Sequence, residues 1–251
     1  MSVYEILFSP TGGTKKAADL MMGELASEWE VMDLAAKDEP FAFRSEDLCL
    51  VAVPSFSGRV PKTAAERLRH LRGFGARAVL LVAYGNRAYD DTLLDLRDIL
   101  SQTGFQCCAA VAAVTEHSVV RRFGAGRPDA GDQEKLRGFA REIRRTLEEK
   151  EPPRELNVPG NRPYRAAGSV AVRPKTSSKC NGCRICALEC PTGAIKATDP
   201  RETSLSRCIG CMRCVQVCPQ NARVVSKLAM LLGTKTLEKA CSERKEPELF
   251  L

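Results

Sequence analysis

Two cysteine repeats near the carboxyl end constrain this sequence most strongly. Each repeat reads C-x-x-C-x-x-C-x-x-x-C-P, and residues 173–225 hold eight of the twelve cysteines of the 251-residue chain. The repeats are CNGCRICALECPTGAI and CIGCMRCVQVCPQNAR, so a small unit is duplicated within the chain. In a chain of this length, cysteines in such a pattern indicate metal or redox chemistry rather than a disulfide framework.

The spacing within each repeat predicts how the cysteines hold metal. Three thiolates at intervals of three residues fold around one [4Fe-4S] cubane, whereas the fourth cysteine, which precedes the proline, reaches across to the other cluster. The sequence therefore predicts one cluster on Cys180, Cys183, Cys186 and Cys218, and a second on Cys208, Cys211, Cys214 and Cys190. Gly182 and Gly210 lie between the first two ligands of each repeat, where a glycine is expected to let the backbone wrap closely around a cluster.

A pair of zinc sites is the alternative, since four thiolates also suit tetrahedral zinc. Zinc ribbons generally use paired C-x-x-C knuckles, however, and not a third cysteine followed by a displaced Cys-Pro. Residues 173–225 resemble the bacterial-type two-cluster ferredoxin module. The resemblance implies a small α+β domain whose two clusters lie close enough for electrons to pass between them.

The charge of the second half depends on how its cysteines are counted. Residues 151–251 carry 17 Lys and Arg against 9 Asp and Glu, which alone would suggest a nucleic-acid surface. Eight thiolates and two oxidised cubane cores lower the net charge of this half to about +4, so we expect no nucleic-acid partner. Four arginines are candidates to tune cluster potentials or to attract an acidic electron-transfer partner, with ordinary solvated arginines as the alternative: Arg184, Arg207, Arg213 and Arg223.

The first 150 residues alternate short apolar runs with helical patterns, which favours a parallel sheet with helices on both faces. The runs predict buried strands at Val3–Phe8, Cys49–Val53, Ala78–Ala83 and Cys107–Val114, with a fifth strand within Trp29–Leu34. Helices are predicted at Lys15–Ser27, Lys62–Leu71, Asp91–Gln102 and Asp132–Lys150. The proline-rich sequence from Glu151 predicts a linker over residues 151–172, and residues 226–251 are expected to form a helix and a charged tail.

A polar loop directly follows the first predicted strand and leads into a helix. Hydroxyls and glycine amides gathered at a helix N-terminus favour a phosphate group. The loop S-x-T-G-x-T resembles the phosphate loop of flavodoxins, which implies a doubly wound five-stranded sheet of order 2-1-3-4-5 with FMN at the switch point. The resemblance assigns the phosphate to Ser9, Thr11, Gly12, Gly13 and Thr14.

Two further segments follow predicted strands at the positions where the flavodoxin fold has the walls of its flavin site. The segment after the third strand contributes Ser55, Phe56, Ser57 and Gly58, and the segment after the fourth contributes Tyr84, Gly85, Asn86, Tyr89 and Asp90. Phe56, Tyr84 or Tyr89 is a candidate to stack on the isoalloxazine, with ordinary packing as the alternative for each. Backbone amides of Ser57, Gly58, Gly85 and Asn86 are candidates to bind its polar edge.

A long loop after the last predicted strand runs from Glu116 to Asp129. Its position predicts that it lies on the flavin side of the sheet, where it shapes access to the flavin or docks the second domain. His117 is a candidate for a catalytic proton donor, because an ordinary histidine pKa lies near neutrality. A solvated loop without a chemical role is the alternative.

The whole chain resembles the flavodoxin–ferredoxin fusion family labelled EFR1-type ferredoxins, through its SGRVP and YGNRAYDD segments and its cysteine repeats. The resemblance implies FMN and two [4Fe-4S] clusters as cofactors, and electron transfer between redox protein partners in anaerobic metabolism. An FMN-dependent reductase of a small-molecule acceptor and a ferredoxin with a flavin-free docking domain are the alternatives. The sequence leaves two routes for electron transfer between the two cofactor domains, one within a single chain and one across a homodimer.

The sequence also predicts the compartment. No apolar run approaches the roughly 20 residues that a membrane helix needs, and the start MSVYEILFSP lacks the features of a signal peptide. We therefore expect a cytoplasmic protein without a membrane span.

Overall fold

A computed structural model describes residues 1–36, 40–149, 155–168 and 172–251. The first part of the chain forms β1 (Val3–Leu7), α1 (Gly13–Leu25), β2 (Glu30–Asp33), β3 (Phe41–Ala42), β4 (Leu48–Pro54), α2 (Lys62–Leu68), β5 (Leu71–Arg72), β6 (Arg77–Tyr84), α3 (Thr92–Gln102), β7 (Gln106–Val114) and α4 (Ala130–Glu148). The remainder forms β8 (Lys175–Thr176), α5 (Ile185–Leu188), α6 (Arg213–Gln216), β9 (Arg223–Val224), α7 (Lys227–Cys241) and β10 (Glu248–Phe250).

The central sheet has the order β2-β1-β4-β6-β7-β10, and its first five strands run parallel. This is the predicted order 2-1-3-4-5 of a flavodoxin-like α/β fold. The predicted strand count of five is too low, because β10 adds a sixth, antiparallel strand to the free edge of β7. Such an edge otherwise presents unpaired backbone groups, which the added strand satisfies.

Continuous apolar runs make the middle of this sheet buried on both faces. All residues of β4 except its last, Pro54, are buried, and so are all residues of β6 except its first, Arg77. One face packs against α2 and α3 around Phe8 and Leu80, and the other packs against α1 and α4 around Met21 and Leu81. These two cores hold the carboxyl ends of the parallel strands at one edge.

The duplicated cysteine unit forms a small domain with the two-stranded sheet β8-β9 and the one-turn helices α5 and α6. Helix α7 follows, and the side chain of its N-cap residue Ser226 accepts a hydrogen bond from the N–H of Ala229. The chain thus consists of a flavodoxin-like α/β domain and a small ferredoxin-type domain. None of the helices within the described ranges is both long and apolar enough to cross a membrane.

Candidate functional site: two four-cysteine cavities and a cleft at the sheet edge

Two cavities in the small domain are each bordered by four cysteines. The first is lined by Cys180, Cys183, Cys186 and Cys218, and the second by Cys190, Cys208, Cys211 and Cys214. Each cavity therefore combines three cysteines of one repeat with the Cys-Pro cysteine of the other. This is the grouping that the spacing predicts.

The two repeats have equivalent backbone conformations beside the two cavities. Arg184 and Met212, the N-cap residues of α5 and α6, both have left-handed backbones, with φ of 65° and 63°. Gly182 and Gly210 also have positive φ, 78° and 65°. A Cβ on Gly182 would meet no atom within 4 Å, so the positive φ is the physical reason for glycine at this position.

Backbone N–H groups point at the two Cys-Pro sulfurs. The N–H of Ala194 donates to the Sγ of Cys190 at 3.3 Å, and the N–H of Ala222 donates to the Sγ of Cys218 at 3.2 Å. Burial raises the pKa of Cys218, but backbone N–H groups, that of Ala222 first, outweigh it and bring the pKa below its usual value. Such donors suit thiolate sulfurs, and hydrogen bonds to sulfur tune cluster potentials.

Cys211 and Cys214, two other cysteines of the second cavity, lie in a more apolar setting. Burial raises the pKa of Cys211 to about 12 and that of Cys214 to about 11, so these sulfurs require a positively charged partner to be held as thiolates. Among the described residues, no three or more His, Cys, Asp or Glu side chains lie close enough together to bind a single metal ion. The four cysteines around each cavity are instead a donor set for a larger group, an iron–sulfur cluster.

The four candidate arginines have different environments. Arg223 is buried and donates to the Oγ1 of Thr203 at 2.9 Å and to the Sγ of Cys186 at 3.7 Å. Arg213 pairs with Glu189. Arg184 is exposed beside the first cavity, and Arg207 is also exposed. Arg223 is thus the arginine of this set that contacts a cysteine sulfur.

A cleft of about 450 Å³, its solvent-open part included, lies at the carboxyl ends of β1, β4, β6 and β7. The cleft brings together eight of the predicted residues: Thr11, Gly13, Thr14, Ser55, Phe56, Tyr84, Gly85 and His117. Glu116 and Ser118, from the predicted loop after the last strand, also line the cleft, and its remaining lining residues were not predicted as binding residues: Pro10, Pro54, Ala83 and Thr115.

The predicted phosphate loop forms the amino end of α1. The Oγ of Ser9 accepts the N–H of Lys15 at 2.9 Å, so Ser9 supports the loop and does not line the cleft. Gly12 is the N-cap residue, and its φ of 88° requires glycine. A Cβ on Gly13 would lie 3.3 Å from the Cβ of Thr115. Thr115 directly follows β7, so the end of this strand packs against the phosphate loop. Thr115 is detectable from the sequence only as the residue that follows a buried strand.

The Phe56 segment is a tight turn that presents only part of itself to the cleft. Phe56 and Arg59 exchange two backbone hydrogen bonds across Ser57 and Gly58, which both have positive φ. Ser57 and Gly58 lie outside the cleft, and a Cβ on Gly168 would lie 2.5 Å from the Cβ of Ser57. Ser57 thus lies against Gly168 of the segment 155–168, and the contact of these two amides with a flavin stays a prediction.

The second predicted wall differs from the prediction in its side chains. Tyr84 is only 3% exposed and meets Tyr89 edge-on at 5.2 Å, so neither ring is presented for stacking. Burial raises the pKa of Tyr84 to about 12. Asn86 points away from the cleft, and Asp90 pairs with Arg87 and Arg165. Phe56, half-buried at the cleft, is the aromatic ring of the predicted set that remains for stacking.

His117 is locked in place at the cleft. Its Nδ1 accepts the N–H groups of Val119 and Val120, each at 3.1 Å. Burial lowers the pKa of His117 below its ordinary value of 6.5. Because Nδ1 accepts these bonds, the neutral ring carries its proton on Nε2, and His117 can donate a hydrogen bond from that atom. The lowered pKa means that the ring is less readily protonated near neutral pH, which argues against the predicted role as a donor of a proton.

Direct contacts join the two domains beside the second cavity. The guanidinium of Arg67, in α2, donates to the carbonyl of Pro191 at 2.7 Å, and Ile209 packs against the core of the flavodoxin-like domain. Pro191 and Ile209 both line the second cavity. A further contact joins Arg121, in the His117 loop, to Gln216 in α6 at 3.5 Å.

Comparisons with known proteins give one family match and several structural similarities. Residues 172–223 match the family model described as a 4Fe-4S dicluster domain. None of the curated protein sequences matches this chain. Among solved structures, the chain is similar to the flavodoxin of Streptococcus pneumonia TIGR4, with 19% identity over 57% of this chain and 97% of that chain and a TM-score of 0.41.

Two further structural matches cover a similar share of the chain. The flavodoxin of Megasphaera elsdenii has 16% identity over 56% of this chain and 98% of that chain, with a TM-score of 0.35. The NAD(P)H:quinone oxidoreductase from Methanothermobacter marburgensis has 16% identity over 61% of this chain and 99% of that chain, with a TM-score of 0.38.

Proposed function

We propose that this protein transfers electrons between two [4Fe-4S] clusters, held in the two four-cysteine cavities, and an FMN held in the cleft. The observation that carries this proposal is the composition of the cavities: each is bordered by three cysteines of one repeat and the Cys-Pro cysteine of the other. That exchange of the fourth ligand is the arrangement of two-cluster ferredoxins.

The amino end of α1 supports phosphate binding in the cleft. Thr11, Gly13 and Thr14 line the cleft beside the first turn of the helix, where free N–H groups and the helix dipole favour an anion. No acidic side chain lies in the first turn of α1. We assign the phosphate of FMN to this end of the cleft.

The opposite walls support a flat aromatic ring. Phe56 supplies an apolar surface on one side, and Gly85 lets the backbone of the other wall approach closely. The Nε2–H of His117 is the polar group for a ring carbonyl or nitrogen, since Nδ1 is already occupied by two backbone donors. The chain thus offers one stacking ring and one neutral donor.

The two proposed types of cofactor differ in the number of electrons that they exchange. When bound, FMN exchanges one or two electrons, whereas each [4Fe-4S] cluster exchanges one. Pro191 and Ile209 bring the second cavity against the flavodoxin-like domain, whereas Arg184 and Cys183 leave the first cavity at the surface of the small domain. The surface at the first cavity is the proposed site for redox protein partners.

Cofactor analysis of the full chain, purified without oxygen, tests the proposal. We expect about eight irons and eight sulfides per chain and one FMN, identified by mass after release with acid. Eight irons with no flavin, even after incubation with FMN, would contradict transfer between clusters and flavin and would leave a ferredoxin with a docking domain. Stoichiometric zinc in place of iron would contradict the clusters.

A further inference from the structure

Asn86 joins a cleft loop to a distant part of the chain. Its side-chain amide donates to the carbonyls of Cys241 and Glu243 at 3.0 and 2.9 Å, and its Oδ1 accepts the N–H of Lys245 at 3.2 Å. The side chain is 5% exposed. A buried amide with both hydrogens and its oxygen engaged cannot be replaced without leaving its partners unsatisfied. We name residues 241–250 the closing segment.

The closing segment contacts the same loop at two more points. The thiol of Cys241 points at the carbonyl of Gly85 at 3.9 Å, and the hydroxyl of Tyr89 donates to the Oε2 of Glu248 at 3.0 Å. Glu248 begins β10, which pairs with β7. Residues 84–90 are therefore held from outside by hydrogen bonds at Gly85, Asn86 and Tyr89.

The second cleft loop, residues 115–127, is held by the same part of the chain. Arg127 is 7% exposed, pairs with the buried Asp132 and donates to the carbonyl of Lys245 at 2.6 Å. Val120 and Phe123 form a small apolar cluster with Cys241, supported by α7. His117, which lines the cleft, belongs to this loop.

We propose that the closing segment shapes the flavin cleft, with Asn86 as the positioning residue that couples them. This inference rests on the proposed binding of FMN in the cleft. Loops at the carboxyl ends of strands have many accessible conformations, and a ligand that must order them binds more weakly. The closing segment keeps the loops ordered before the flavin arrives, although it follows the cysteine domain in sequence.

The test compares Asn86→Gly with a matched control. The φ of Asn86 is 62°, which glycine adopts without strain, so Asn86→Gly removes the side-chain hydrogen bonds alone. Asn157→Gly makes the same exchange at an exposed position whose side-chain bond, to the carbonyl of Glu155, is long at 3.5 Å. We expect FMN to bind Asn86→Gly at least about tenfold more weakly, and Asn157→Gly as tightly as the native chain.

Hydrogen exchange of the flavin-free protein provides a readout that does not depend on FMN. In Asn86→Gly, the amides of residues 84–90 and 115–127 should exchange faster than in Asn157→Gly, while those of β4 stay protected. Tyr89→Phe, which removes only the hydroxyl bound to Glu248, is the milder variant if Asn86→Gly does not fold. It should show the same faster exchange with a smaller loss of FMN affinity.

The outcomes separate this inference from the proposed function. A native chain that binds no FMN would contradict the proposed flavin site, and the exchange comparison would still decide whether the closing segment orders the loops. If the native chain binds FMN, and Asn86→Gly and Tyr89→Phe match it in both FMN affinity and hydrogen exchange, the inference is overturned. The proposed function would still stand.

Discussion

Gly85 and His117 are packed so closely that a β-carbon on Gly85 would lie 2.6 Å from the Cβ of His117. Gly85→Ala should therefore push His117 and its loop out of position. We expect FMN to bind this variant about tenfold more weakly or worse, and the free energy of unfolding to fall by about 1–3 kcal/mol, the usual cost of overpacking. Flavin fluorescence titration and denaturant unfolding measure the two effects.

Gly23→Ala is the matched control for this prediction. Gly23 is exposed within α1, and a Cβ there would meet no atom within 4 Å. Alanine should stabilise the helix by about 0.5–1 kcal/mol and leave FMN affinity unchanged. Equal FMN affinity of the Gly85 and Gly23 variants would show that His117 does not form a wall of the flavin site.

The environment of His117 predicts a pH dependence of stability. Burial lowers the pKa of the folded-state imidazole below 6.5, so the unfolded chain binds more protons in mildly acidic solution. The contribution of His117 to stability should be complete above about pH 6.5 and decline as the pH falls toward the folded-state pKa. Unfolding measured from about pH 8 to about pH 5 should show a smaller slope in His117→Asn, whose Oδ1 also accepts the loop N–H groups.

Nuclear magnetic resonance gives a direct check of the same group. The chain contains two histidines, so the Cε1 proton of His117 can be assigned by comparison with the His117→Asn spectrum. Titration of this proton above pH 6.5 would contradict a neutral donor and restore a proton-transfer role.

The grouping of the cysteines predicts which substitutions affect the same cluster. Cys190 and Cys211 belong to different repeats, but both line the second cavity, whereas Cys183 lines the first. The variants to compare are Cys190→Ser, Cys211→Ser and Cys183→Ser. We expect each variant to lose about four irons, and the remaining cluster of the first two variants to give the same electron paramagnetic resonance spectrum. Cys107→Ser, in strand β7, should retain all iron. A Cys190→Ser spectrum that matches Cys183→Ser would contradict the exchanged fourth ligand.

Charge at the first cavity predicts how protein partners bind. Arg184 is exposed there, and the neighbouring Leu188, on α5, is 80% exposed. Arg184→Glu should weaken the binding of a small acidic ferredoxin severalfold at low salt and reduce the salt dependence of the dissociation constant, measured by calorimetry. Lys62→Glu, on α2 of the flavodoxin-like domain, makes the same change elsewhere and should have little effect. If both variants weaken the binding of the ferredoxin equally, the ferredoxin is attracted by the overall charge of the protein and not by the surface at the first cavity.

The extent to which these sites could be predicted follows from how local each signal is. Cysteine spacing is a property of a short chain segment, so the two cavities group their cysteines as predicted. Strands β6 and β7 were also predicted to within one residue at each end, because long apolar runs in this pattern form buried strands. By contrast, β10 has three residues, and it forms because the edge of β7 is available.

Side-chain directions at the cleft depended on contacts that sequence does not reveal. Asn86 follows β6 as expected, but its side chain turns toward Cys241 and Lys245, which are distant in sequence. Tyr84 lines the cleft, but its side chain is almost fully buried and packs against Tyr89. Position at a strand end was predictable, whereas the orientation of Asn86 depends on partners that are distant in sequence.

The environment of Glu5 predicts that replacing this carboxyl will stabilise the protein, independently of both cofactor sites. This carboxyl is fully buried in β1; its Oε2 accepts the indole N–H of Trp29 at 3.0 Å, and its Oε1 has no partner among the described residues. Burial raises the pKa of Glu5, so the folded state holds its proton more tightly than the unfolded chain. Stability should therefore fall as the pH rises above the ordinary carboxyl pKa of 4.5.

Glu5→Gln removes this titration and keeps an acceptor for Trp29. We expect the variant to be more stable than the native chain at pH 7 by about 1–2 kcal/mol, the usual scale for a single buried substitution, with the difference shrinking toward pH 4. Glu30→Gln, at an exposed position on the neighbouring strand β2, should change neither quantity. Chemical denaturation across this pH range decides the matter, because a parallel pH dependence of the native chain and Glu5→Gln would mean that Glu5 titrates alike in the folded and unfolded states.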